Sequence, residues 1–120
     1  MKILKLNISG CYKILFKPNK DKRGFFTRTY CKKEFKKFKI NDRWLQNNLS
    51  LNKYKNTLRG LHFQTKPFEE EKLVRCVKGS VIDYILDLRK KSKTYMKLIK
   101  VKLSDKNFVS VYVPRGCAHG

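Results

Sequence analysis

The run Leu58-Arg59-Gly60-Leu61-His62-Phe63-Gln64, followed by Lys72-Leu73-Val74-Arg75, sets a lone histidine in an apolar stretch with an arginine before it and a lysine after it. An imidazole titrates close to neutral pH and can take a proton off carbon. An ammonium group can steady the oxyanion that results. A guanidinium fork matches phosphate oxygens. The chain's other histidine, His119, lies in the closing run Pro114-Arg115-Gly116-Cys117-Ala118-His119-Gly120, where proline ends a strand and glycines allow a tight turn. Strand alternation puts His62 and Gln64 on one face and Arg59 on the other, although Gly60 can break that parity. Taken singly, these residues also read plainly: His62 as a hydrogen-bonded core histidine, Lys72 as a solvated strand end, His119 as a terminal residue. Asp83, between Val81 and Ile85 on one face of an apolar strand, needs a partner if it is buried. Lys72 and His62 are the candidates, and an edge position facing water is the alternative.

Short strands must position these groups. Period-two patterning predicts strands over Ile3–Ile8, Tyr12–Phe16, Gly24–Tyr30, Leu45–Ser50, Leu58–Gln64, Leu73–Lys78, Ser80–Leu88, Tyr95–Leu103 and Phe108–Val113. Turns are expected at Ser9-Gly10, Lys78-Gly79-Ser80 and Ser104–Asn107, and a polar loop over Pro18–Gly24. Phe35 and Phe38, three apart among lysines, predict one short surface helix over Cys31–Lys39. In Leu45–Ser50, Gln46, Asn48 and Ser50 share a face, which suits solvent or a polar cavity. Many strands with barely one helix indicate an all-β sandwich, jelly roll or barrel. With no repeat or linker, residues 1–120 read as a single domain.

Composition excludes more than it specifies. At 41% hydrophobic residues the chain lies outside the disordered regime. No apolar run is long enough to span a membrane, and the alternating start Met1–Leu6 is not a signal peptide. The four cysteines are scattered without a CxxC pair, so free thiols in a reducing cytoplasm are expected. Net charge is +21, from 30 Lys+Arg against 9 Asp+Glu. The excess is mostly lysine, spread from Lys2 to Lys106 and accompanied by Asn and Ile, which share A/T-rich codons. A diffuse positive field does not define a nucleic-acid site, so nucleic acid is not the expected partner.

Six segments together resemble the dTDP-4-dehydrorhamnose 3,5-epimerase family: Asp21–Phe26, Gln46–Ser50, Leu58–Gln64, Lys72–Asp83, Asp87–Thr94 and Pro114–Gly120. The likeness covers nearly the whole chain, in order. It implies a cupin-type jelly-roll β-barrel, a homodimer, and a dTDP-4-keto-6-deoxyhexose substrate in the making of dTDP-L-rhamnose for surface polysaccharide. It further implies that His62 is the base that removes protons at C3 and C5, beside the C4 ketone. Lys72 would offset charge growing on the C4 oxygen. Arg23 and Arg59 would contact the pyrophosphate, Gln46, Asn47 and Asn48 the nucleotide, and His119 the substrate. No cofactor is needed, because the ketone is already in the substrate. No metal is expected either: many cupins bind metal through an HxH pair, and the corresponding segment here reads His62-Phe63-Gln64.

Two departures bear on this reading. Arg28 stands where the family usually has a nucleotide-holding glutamate. The chain also ends inside the Pro-x-Gly-x-Ala-His-Gly motif, so the resemblance places the proton-donor tyrosine, the base-orienting aspartate and further barrel strands beyond Gly120. Tyr112 and Asp83 do not match those positions. The expected fold is therefore a jelly roll incomplete at its C-terminus. The alternative function is a truncated, inactive cupin that binds dTDP-sugar or only dimerises.

Overall fold

The computed structural model describes residues 1–40 and 43–120. β1 (Lys2–Lys5) and β2 (Tyr12–Leu15) form a hairpin whose turn is closed by the Cys11 amide on the Ile8 carbonyl at 3.0 Å. Two short strands, β3 (Asn19–Asp21) and β4 (Gly24–Phe26), make a separate two-stranded sheet. The helix α1 (Lys32–Lys37) follows, then β5 (Lys72–Arg75), β6 (Ser80–Asp87), β7 (Leu98–Ser104), β8 (Val109–Val113) and β9 (Cys117–His119).

All recorded pairings are antiparallel. One sheet runs β1-β2-β8-β5 and the other β7-β6-β9. The sheets face each other across one core, to which Val109, Val111 and Val113 contribute from the first, and Ile85, Val101, Leu103 and Cys117 from the second. Alternation along β6 and β7 points one residue in two inward, as a half-buried strand must. β8 is buried on both faces. Its outer side, with Tyr112, lies in a second core with Ile14, Phe35 and Ile40, so α1 and the segment after it cover that sheet. This is the all-β, cupin-type arrangement with one short helix, and no closed barrel forms among the described residues.

Several expected elements differ. The polar run Pro18–Gly24 is not only a loop: it supplies β3. The Asp21 carboxylate accepts from the Arg23 amide at 2.8 Å and closes the hairpin. The helix is shorter than Cys31–Lys39, and it holds on through Phe35, which is fully buried. Leu45–Ser50 forms no strand. Leu45 is 96% exposed and Leu49 83% exposed, and a strand exists only where a neighbour takes up its backbone groups. Leu58–Gln64 is likewise irregular except for one bridge at His62.

Candidate functional site

The register aligns the groups that matter. In an antiparallel ladder, directly opposite residues point to the same face. Ile85 is opposite both Ile99 and His119, and His119 is opposite His62. Ile85 lies in the inter-sheet core. His62 and His119 therefore belong to the interior face of the three-stranded sheet, His62 at its solvent-exposed margin. On the facing sheet, Lys72 is opposite Val113 and Val74 opposite Val111, so Lys72 belongs to the interior face as well. Its ammonium is paired with Glu70 at 3.0 Å.

The two histidines are joined by backbone. The His62 amide donates to the His119 carbonyl at 2.8 Å, and the His119 amide to the His62 carbonyl at 3.0 Å. Glycine makes that approach possible. A methyl group at Gly60 (φ +100°) would lie 2.7 Å from the His119 carbonyl oxygen, and one at Gly120 would collide with the Arg59 carbonyl. The chain crosses itself here closer than any Cβ allows.

Asp83 is buried, at 4% exposure. Its partner is neither Lys72 nor His62 but His119, whose Nδ1 lies 3.0 Å from Oδ1. Oδ2 has no partner among the described residues. An ionised carboxylate only accepts hydrogen bonds, so with Asp83 charged Nδ1 carries the hydrogen and Nε2 is left free. The sequence shows that Asp83 shares a face with Ile85 and needs a partner if buried; that the partner is His119 follows from the register of β6 with β9, which no local pattern displays.

A second buried carboxylate, Asp87, is fully enclosed. It accepts from the Arg89 amide at 3.0 Å and from Arg89 Nε and Nη2, each at 2.8 Å. Ser92 Oγ and Thr94 Oγ1 donate at 2.6 Å each. Burial alone would raise this carboxyl, but the bonds from Arg89, Ser92 and Thr94 outweigh it and hold the group well below the usual carboxylate range. In the sequence, Asp87 and Arg89 stand out only as part of the Asp87–Thr94 segment.

Of the remaining predicted residues, Arg59 reaches the histidine crossing through its backbone, whose carbonyl lies against Gly120. Arg23 sits at the exposed tip of the β3–β4 hairpin, forked onto Asp21 at 2.7 and 3.2 Å. The Arg59 side chain turns to the 51–52 loop and donates to Asn52 Oδ1 at 2.6 Å and to the Leu51 carbonyl at 3.2 Å. Gln46, Asn47 and Asn48 lie on the exposed, unpaired segment. A cleft of about 380 Å³, lined by Phe16, Phe25, Phe26, Arg75 and Phe108 among others, opens beside the hairpin and includes none of the predicted site residues.

Two facing antiparallel sheets with paired histidines on the inner face define a cupin-type protein. Residues 5–120 match the family described as dTDP-4-dehydrorhamnose 3,5-epimerase, and the chain belongs to that family. A dTDP-4-dehydrorhamnose 3,5-epimerase from Sinorhizobium fredii is 42% identical over 108 residues, covering 88% of this chain and 55% of the relative. The crystal structure of the enzyme from Elizabethkingia anophelis superposes with a TM-score of 0.92 at 39% identity, covering 99% of this chain and 65% of that one. A dTDP-6-deoxy-D-glucose-3,5-epimerase from Legionella pneumophila, solved with dTDP-4-keto-L-rhamnose, gives 0.89 at 34% identity, with 98% and 62% covered. The chain thus spans less than two thirds of each of these relatives.

Proposed function

We propose that this chain carries the base-bearing part of a 3,5-epimerase site for a dTDP-4-keto-6-deoxyhexose. One observation carries the reading: the ladder sets His62 beside His119 on the interior face while Lys72 stands on the interior face opposite. The C4 ketone acidifies the hydrogens at C3 and C5. His62 takes one of them and later passes it to solvent, the electron pair moves into an enolate, and a proton delivered to the opposite face by a donor other than His62 inverts the centre. Lys72 offsets the charge on the C4 oxygen, an interaction stronger in the transition state than in the ground state. His119, held by Asp83, contacts the sugar. Arg23 and Arg59 take the pyrophosphate, and Gln46, Asn47 and Asn48 the nucleotide. The Legionella relative's bound dTDP-4-keto-L-rhamnose supports that ligand class.

The same reading includes a homodimer. Leu45, Leu49, Leu51 and Leu58 are 83–96% exposed on a segment with no strand partner among the described residues. Apolar area on that scale favours burial against a second copy, which would also bring Gln46–Asn48 to a site. Four free cysteines support a reducing, cytoplasmic setting.

The test is calorimetry with dTDP alongside NMR of dTDP-4-dehydro-6-deoxy-D-glucose incubated with the protein. Binding together with inversion at C3 and C5 is expected. Binding without inversion would favour the inactive cupin that binds dTDP-sugar, and neither would refute the epimerase reading and favour the cupin that only dimerises.

A further inference from the structure

The Asp87 cluster ties together three segments that are remote in sequence. Arg89 Nη2 donates to the Ser9 carbonyl at 2.6 Å, and the Ser9 amide donates to Thr94 Oγ1 at 3.1 Å. The β1–β2 turn is thereby fastened to the loop after β6. The third segment is the turn between β8 and β9. A methyl group at Gly116 (φ +73°) would lie 2.6 Å from Arg89 Cγ, so the stem of Arg89 lies directly against that glycine. The Gly116 carbonyl accepts from the Leu88 amide at 3.1 Å, and Cys117 is opposite Asp87 in the ladder. Two residues further along is His119, with Asp83 on its ring and His62 on its backbone.

We infer that Arg89 is a positioning residue: forked onto Asp87 and the Ser9 carbonyl, it fixes the Gly116 turn and so delivers His119, and with it His62, to the interior face. Its guanidinium makes three hydrogen bonds, Nε and Nη2 to the Asp87 carboxylate and Nη2 to the Ser9 carbonyl, so the stem is a rigid stop rather than a mobile chain. β9 is only three residues long; β6 holds it along its length, His62 bridges to its last residue, and the turn fixes its start. Loosening the turn lets the strand shift relative to Asp83 and breaks the bridge to His62, while the other sheet stays in place. The inference deepens the proposed site and rests on that reading only for its consequence in turnover.

The experiment is amide hydrogen exchange by NMR on the 120-residue chain, comparing wild type, Arg89→Lys and Arg89→Ala. The reference amide is Ile14, fully buried in the facing sheet. Exchange at the His62 and His119 amides is expected to rise about tenfold in Arg89→Lys relative to Ile14, and further in Arg89→Ala, the lysine giving partial rescue. If Arg89→Ala does not fold, Arg89→Lys alone decides. Unchanged exchange at His62 and His119, or an equal rise at Ile14, overturns the assignment. Turnover is read separately: a wild-type protein that epimerises nothing refutes the proposed function, whereas the exchange result judges Arg89.

Discussion

The His119 imidazole meets the buried Asp83 carboxylate at 3.0 Å through Nδ1. A charge-assisted hydrogen bond of this kind is worth about 1.5–3 kcal/mol. Against it stands the cost of keeping Oδ2 buried without a partner, about 1–3 kcal/mol. The two nearly cancel. Asp83→Ala should therefore shift the unfolding free energy by less than about 1.5 kcal/mol while freeing the ring. Long-range nitrogen–proton NMR should show His119 losing its preference for hydrogen on Nδ1. A large loss of stability with an unchanged tautomer would mean that the contact is structural ballast.

Gly60 faces a harder limit. A side chain there would meet the His119 carbonyl oxygen at 2.7 Å in a left-handed conformation. Gly60→Ala should cost more than about 2 kcal/mol, from backbone strain and the lost bridge together. Urea unfolding would measure it. A wild-type midpoint would show that the crossing of the two segments is not tight.

Much of this crossing was open to sequence reasoning, and its key part was not. Val109–Val113 and Ser80–Asp87 announce themselves by pattern, because each lies between neighbours that dictate alternation or full burial. Leu45–Ser50 alternates just as cleanly and forms no strand, since alternation records a preference for a half-buried surface and supplies no partner. The pairing of Asp83 with His119 spans 36 positions and depends on the register of β6 with β9. Nothing local encodes that register. Gly60 inside a strand-like run signals a bulge or a close backbone approach, and only the structure shows which carbonyl it admits.

Asp87 predicts an acid limb. Its folded carboxyl titrates below the unfolded value of about 3.9, so its contribution to stability is fully present above that pH and is lost as pH falls through the depressed folded value. Asp87→Asn should lower the urea midpoint at pH 6 and flatten its decline between about pH 4 and 2. Parallel acid limbs in the two proteins would show that other carboxylates govern unfolding.

The thiols separate by burial. Desolvation pushes Cys11 up to about 12 and Cys117 up to about 11, which leaves almost no thiolate near neutral pH. Cys31 and Cys76 are only partly buried. Titration of the native protein with a disulfide reagent at pH 8 should modify Cys31 and Cys76 promptly, and Cys11 and Cys117 only on unfolding. Prompt reaction of Cys117 would reveal an opening at the start of β9.

The central claim is that His62 removes a proton from carbon next to the ketone. In deuterium oxide, NMR of dTDP-4-dehydro-6-deoxy-D-glucose with the protein should show deuterium entering C3 and C5, with His62→Asn slowing it by about 10²–10⁴-fold. Wild-type exchange no faster than buffer, or exchange unchanged by the substitution, would contradict it.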